Sequence, residues 1–123
     1  MRSTADLREY LDALDLCYFD GQLAEDYPEL GIRWMRARTS ARFGQYSEAR
    51  GIEISRVLAY PWVPPFFVLS VVYHEALHAV IGLEHCYRFR QAERAYARWY
   101  EASVWEHENC ARLLAAEPPK GLR

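Results

Sequence analysis

Two histidines and a glutamate near the middle of the chain have the types and the spacing of a catalytic metal site. They form the motif His74-Glu75-Ala76-Leu77-His78, or H-E-x-x-H, inside an apolar run that contains no proline. On an α-helix, side chains four residues apart lie on one face, so both imidazoles can reach the same metal ion. Glu75 lies about 100° around the helix from His74, where its carboxylate can reach a water on the metal. This pattern is typical of zinc hydrolases that use the glutamate as a general base.

The segment around the motif predicts the helix that must hold it, from about residue 66 to residue 82. The helix face opposite the histidines is apolar, prolines precede the segment, and Gly82 is a favourable residue just after a helix end. Burying two histidines and a glutamate without partners is costly, and a bound metal removes that cost. We therefore predict one zinc ion per chain, with His74 and His78 as ligands.

A catalytic zinc site normally has three protein ligands and a water, so a third ligand is required. His85 lies just past Gly82, where a turn can return the chain to the metal. Three of the four histidines also fall within twelve residues of one another. These observations favour His85 but leave alternatives open, namely Cys86 or a glutamate of the last predicted helix (Glu93, Glu101, Glu106 or Glu108).

The remaining segments predict an α+β fold in which a short, mostly antiparallel sheet packs on the metal helix. Ser3 or Thr4 caps an N-terminal helix that runs to about Phe19, and residues 22–31 are expected to form a loop. Apolar residues alternating with polar ones predict three strands, over residues 32–38, 42–46 and 51–57. A long last helix is predicted over residues 89–115.

Length and composition suit a single domain, residues 1–123, with one hydrophobic core. The chain has 123 residues, of which 51% are hydrophobic and 15% aromatic. No apolar run reaches the length of a membrane span, and the first residues lack an apolar signal region. The three cysteines (Cys17, Cys86 and Cys110) are odd in number and widely spaced. We therefore expect a reducing, cytoplasmic location and no membrane contact.

Charge is unevenly distributed along the chain, although the formal net charge is only −2. Residues 1–30 carry eight acids and two arginines, whereas residues 31–60 carry six arginines and two acids. Such a basic segment can contact nucleic-acid phosphates, or it can pair with the acidic first helix. The arginines that we consider for DNA binding are Arg33, Arg36, Arg38 and Arg42.

Several short motifs follow one another along roughly residues 7–100. They are Tyr18-Phe19-Asp20-Gly21-Gln22-Leu23, Ile32-Arg33-Trp34, Gly44, Ile52-Glu53-Ile54-Ser55 with Leu58, the H-E-x-x-H motif and His85-x-x-x-Phe89. In this order the chain resembles the SprT-like zinc metallopeptidases, the family of the Spartan protease. The cysteines do not form the pairs needed for the C-terminal zinc ribbon that is common in that family.

The resemblance implies a zincin-like fold that hydrolyses peptide bonds in a protein or peptide substrate. It implies that His74, His78 and His85 bind zinc, that Glu75 is the catalytic base, and that DNA is a partner. Two alternatives stay open. One is a gluzincin-type peptidase, in which a glutamate is the third ligand. The other is a non-catalytic zinc-containing module that binds protein or nucleic acid, although such a site has no use for a base at Glu75.

Overall fold

The computed structural model describes residues 1–37 and 43–123 and has an α+β fold. Five α-helices and a small mixed sheet of three strands are present within these residues. The helices are α1 (Thr4–Tyr18), α2 (Gln22–Asp26), α3 (Pro65–Ile81), α4 (Tyr87–Arg94) and α5 (Trp99–Ala115). The strands are β1 (Ile32–Trp34), β2 (Gly44–Ser47) and β3 (Gly51–Ile54), and a 3₁₀ helix, Arg56–Ala59, follows β3.

The first helix begins and ends where its sequence predicts. The Ser3 hydroxyl accepts a hydrogen bond from the Asp6 amide at 3.1 Å, and the Asp6 carboxylate accepts one from the Ser3 amide at 2.7 Å. This reciprocal pair satisfies amide groups that have no partner inside the helix. Leu7, Leu11 and Leu14 face the core. The predicted N-terminal helix is therefore confirmed.

Residues 22–31 do not form a continuous loop, because α2 occupies the first half of that segment. The buried carboxylate of Asp15 accepts hydrogen bonds from the amides of Leu23 at 2.8 Å and Ala24 at 3.0 Å. A carboxylate at these amides stabilises the start of a helix in the way an N-cap does. The stabilising group lies on another helix, so the local sequence of α2 does not reveal it.

The sheet is mixed rather than mostly antiparallel, because β3 lies between the other two strands. Strand β1 pairs with β3 in parallel, with Ile32 opposite Ile52, and β2 pairs with β3 antiparallel. The parallel register places the apolar residues of β1 and β3 on one buried face of the sheet. Burial of this common face favours the parallel pairing of β1 with β3. The alternation within each strand does not indicate which strand it pairs with.

All three strands are shorter than predicted. Strand β1 ends at Trp34 rather than at residue 38, and β3 ends at Ile54 rather than at residue 57. Val57, Leu58 and Ala59 are all buried, and three consecutive residues cannot face one side of a strand. A 3₁₀ turn buries them together instead. The predicted second strand is shifted to Gly44–Ser47, and its residue Arg42 lies outside the described part of the chain.

Helix α3 forms the centre of the fold and agrees with the predicted metal helix. Pro65 is in its first turn, and Gly82 follows its end with a φ of 126°. Its buried side chains contact the sheet, α1, α4 and α5. None of the helices in residues 1–37 and 43–123 is both long and apolar enough to cross a membrane.

The long last helix is divided in two, because residues 95–98 are held by neighbouring helices. The Tyr96 hydroxyl donates a hydrogen bond to the Phe66 carbonyl at 2.9 Å, and the Tyr18 hydroxyl accepts one from the Ala97 amide at 3.0 Å. The ring of Tyr96 is buried against those of Tyr18 and Tyr73. The break allows α4 to lie beside the histidines of α3.

Candidate metal centre

Three histidine side chains converge at the C-terminal half of α3. His74 and His78 lie one turn apart on the same face of the helix, as their spacing predicts. The chain then turns at Gly82, whose carbonyl oxygen accepts a hydrogen bond from Nδ1–H of His78 at 2.8 Å. This turn brings His85 back over the other two rings. The turn at Gly82 was predicted from the sequence, and the structure has it at the expected residue.

The three Nε2 atoms form an equilateral triangle. Each pair among His74, His78 and His85 is separated by 3.2 Å. Ligands about 2.0–2.1 Å from a tetrahedral zinc ion lie about 3.3–3.4 Å from one another, so the observed separations fit such an ion. Among the residues that the structure describes, these three side chains form the group that could hold a metal ion.

The hydrogen bonds on the far side of two rings determine which nitrogen of each ring carries the proton. Nδ1 of His74 is hydrogen-bonded to the Glu93 carboxylate, and Nδ1 of His78 to the Gly82 carbonyl. Both acceptors require Nδ1 to carry the proton, which leaves a lone pair on each neutral Nε2. Two such lone pairs 3.2 Å apart repel each other unless one ring carries an extra proton or a metal ion lies between the nitrogens. A metal ion at the centre of the triangle could accept the lone pairs of all three rings at once.

Glu93 is hydrogen-bonded to His74 and does not belong to the group of three histidines that could hold a metal ion. Its carboxylate lies behind His74, away from the three converging nitrogens. Burial lowers the pKa of His74, but the Glu93 hydrogen bond and the charge of Glu75 outweigh it and raise that pKa overall. The bond to His74 in turn lowers the pKa of Glu93. Such a carboxylate orients a metal-binding imidazole and makes it more basic.

The other alternative ligands lie elsewhere. Cys86 is exposed and is outside the group of three histidines. Glu101 is exposed and forms an ion pair with Arg98 at 2.7 Å. Glu106 lines a neighbouring cleft, and Glu108 is exposed. The geometry therefore favours His85 as the third ligand over each of these residues.

The fully buried ring of Phe89 lies against all three imidazoles. Its centroid is 5.0 Å from that of His74, 4.5 Å from that of His78 and 5.0 Å from that of His85. The ring shields the histidines on that side and restricts their orientation, whereas His85 is exposed on the other side. The sequence pointed to Phe89 only through the motif His85-x-x-x-Phe89 and did not indicate this role.

Glu75 is buried beside the histidines and faces β2. Burial raises its pKa to about 7, partly offset by the nearby His74. A Cβ added at Gly44 would lie 2.9 Å from Val71 Cγ1, 3.0 Å from Glu75 Cγ and 3.1 Å from Glu75 Oε2. The first distance is shorter than real Cβ atoms show and the other two are very tight, so only glycine leaves Val71 and Glu75 in their present positions. The sequence singled out Gly44 as part of a resemblance, but its spacing gave no sign of this contact.

A cleft of about 320 Å³ opens next to His74 and Glu75. Helices α3 and α5 form its long sides, and residues of α4, the α4–α5 connection and β2 close it. A second hollow, of about 360 Å³, lies away from the histidines and is lined by Arg33, Arg36 and Arg50 among others. Arg33 also pairs with the buried Glu53 at 3.5 Å. Arg38 and Arg42, which were also predicted to contact DNA, lie outside the described residues.

The chain matches no protein-family model, no curated protein and no solved structure. The site is therefore characterised by the geometry and chemistry of this chain alone. Those features are three converging imidazoles with oriented Nδ1 groups, an aromatic ring against them, and a buried glutamate beside an open cleft. Together they form a candidate metal centre.

Proposed function

We propose that this protein is a zinc-dependent endopeptidase, of the SprT-like type that its motifs resemble. The single observation that carries the proposal is the convergence of three Nε2 atoms 3.2 Å apart, with Glu75 on the adjoining face of the same helix. Three nitrogen donors in this geometry suit zinc, and they leave one coordination position for water. His74, His78 and His85 would hold the ion.

Hydrolysis of a peptide bond at this site would need both the ion and Glu75. A zinc ion held by the three imidazoles would lower the pKa of a bound water towards about 7 and would polarise a carbonyl group. The Glu75 carboxylate lines the cleft, where it can act as a general base that accepts a proton and returns it to the leaving amine. Phe89 and Glu93 keep the imidazoles in place, so that these groups need little rearrangement.

Strand β2 supports a peptide as the substrate. It pairs with β3 on one side and has no strand partner on its other side among the described residues. Gly44, at the start of β2, lines the cleft together with Glu75. An extended peptide can pair with such an edge through main-chain hydrogen bonds. A peptide paired in this way near Gly44 would lie beside His74 and Glu75.

The test is the variant Glu75→Gln, which keeps the size of the side chain and removes its ability to accept a proton. We expect it to retain zinc and fold while losing cleavage of an unfolded protein, casein, by about 10²- to 10⁴-fold. Glu101→Gln is the matched control, because it removes the same charge from an exposed residue of α5. Cleavage that is unchanged by Glu75→Gln, at equal zinc content, would overturn the mechanism.

A non-catalytic module is the alternative, in which a closed zinc site holds the fold together. Such a site needs four protein ligands. The described residues place three at the centre, and Cys86 is exposed and apart from them. The open position therefore favours an enzyme. If the protein only binds a partner, Glu75→Gln should change neither its zinc content nor its affinity for that partner.

We also propose that DNA contacts the hollow between Arg33, Arg36 and Arg50. Phosphate contacts make binding strongly salt-dependent, because each one releases counterions. Single-stranded DNA should bind more weakly to Arg36→Gln than to the original protein, and with a smaller dependence on salt. Equal affinity and equal salt dependence for both proteins would exclude this surface.

A further inference from the structure

The cleft beside the metal centre is a groove between two helix faces. Residues of α3 line one side at positions i, i+1, i+4 and i+5, namely Ser70, Val71, His74 and Glu75. Residues of α5 line the other side at i, i+3, i+4 and i+7, namely Trp99, Ala102, Ser103 and Glu106. His74 and Glu75 lie at one end, so the groove runs from the reacting groups towards the start of α3.

Apolar and aromatic side chains form about half of the walls of the groove, and polar or acidic side chains form the rest. Phe43, Val71 and Trp99 line it, and Tyr96 contributes its ring because its hydroxyl is bonded to the Phe66 carbonyl. The volume of about 320 Å³ lies at the lower end of the range of ligand pockets, about 300–1,000 Å³, and has room for an aromatic side chain. The carboxylates of Glu93 and Glu106 also line it, so an acidic side chain would meet like charge.

Ala102 is the smallest side chain on the α5 side of the groove. It lies one turn from both Trp99 and Glu106, and it lines the groove although only 4% of the residue is exposed. A longer side chain at this position would occupy space that a substrate side chain could otherwise fill. Residue 102 therefore sets how large a side chain the groove accepts.

We infer that this groove binds the substrate side chain next to the cleaved bond, and that it selects an aromatic or large aliphatic side chain with Ala102 setting the size limit. The inference rests on the proposed peptidase function and names the substrate class. A hydrophobic pocket discriminates through each methylene group that it buries or excludes, typically by about 10- to 200-fold. The expected preference is phenylalanine, tryptophan or leucine over glycine, with aspartate bound most weakly.

The experiment uses a set of unstructured peptides that differ at one residue flanking the cleaved bond. That residue is glycine, leucine, phenylalanine, tryptophan or aspartate. Calorimetry measures their binding to zinc-loaded Glu75→Gln protein, and cleavage by the active protein gives kcat/KM. Adding Ala102→Leu should weaken binding of the phenylalanine peptide by about tenfold or more and leave the glycine peptide within about twofold. Ala111→Leu, an exposed alanine of α5, is the matched control and should change neither.

Two outcomes would overturn the inference while leaving the peptidase proposal intact. One is cleavage with no preference for phenylalanine over glycine, and the other is an equal effect of Ala102→Leu on both peptides. Peptides that neither bind nor are cleaved would count against the proposed function itself. Ala102→Leu can also disturb the packing of α5, because Ala102 is buried. Circular dichroism and zinc content therefore check that the variant is folded. Ala102→Gly is the second variant, and its deeper groove should bind the tryptophan peptide more tightly.

Discussion

Replacing Glu93 with glutamine should weaken zinc binding without abolishing it. In the structure the Glu93 carboxylate accepts a hydrogen bond from Nδ1 of His74, and both side chains are mostly shielded from solvent, with exposures of 25% and 29%. A hydrogen bond to a charged group contributes about 1.5–3 kcal/mol. Since about 1.4 kcal/mol corresponds to a factor of ten, the loss in zinc affinity should be about 10- to 100-fold.

Competition with a chromophoric chelator at constant pH measures this change directly. Glu101→Gln is the control, because it alters net charge equally but at an exposed ion pair with Arg98. Its zinc affinity should stay within about twofold of the original protein. His85→Ala removes a nitrogen donor and should therefore reduce affinity more than Glu93→Gln does.

The opposite ranking would refute this description of the centre. If Glu93→Gln releases zinc while His85→Ala retains it, the glutamate is a ligand and a gluzincin arrangement replaces the one described. Unchanged affinity in Glu93→Gln would show that the hydrogen bond to His74 does not stabilise the bound ion.

Three further predictions concern stability and catalysis. Free zinc at 100 times its Kd should add about 2.7 kcal/mol to the free energy of unfolding, and calorimetry should therefore record a higher melting temperature with zinc than after chelation. Asp15→Ala should lower the free energy of unfolding by about 1–3 kcal/mol in urea titrations, because the amides of Leu23 and Ala24 lose their acceptor. Gly44→Ala should reduce kcat/KM by about 10- to 100-fold at unchanged zinc content, because the added methyl group displaces Glu75. Full activity in this variant would contradict a close contact between position 44 and Glu75.

Elements with local determinants could be predicted from the sequence. The Ser3–Asp6 capping pair is encoded within four residues, and the break at Gly82 within one. The convergence of His74 and His78 follows from helical spacing alone. His85 required only a short turn after the helix, so the sequence favoured it before the geometry was known.

Features that depend on distant partners could not be predicted. The start of α2 depends on Asp15 of another helix, and the break between α4 and α5 depends on hydrogen bonds from Tyr96 to Phe66 and to Tyr18 from Ala97. The parallel pairing of β1 with β3 is likewise a tertiary choice.

Glu93 illustrates the same limit within the site. It lies nineteen positions after His74, and the sequence named it as one of four candidate glutamate ligands but could not show that it hydrogen-bonds to His74 instead.

X-ray absorption at the zinc edge of the zinc-loaded protein tests the central claim most directly. The centre described here predicts one zinc ion per chain with three imidazole nitrogens at about 2.0–2.1 Å and one further oxygen from water. His85→Ala should lower the imidazole count by one. A sulfur ligand at about 2.3 Å, which would indicate Cys86, or failure of the zinc-replete protein to retain the metal, would contradict the proposed centre.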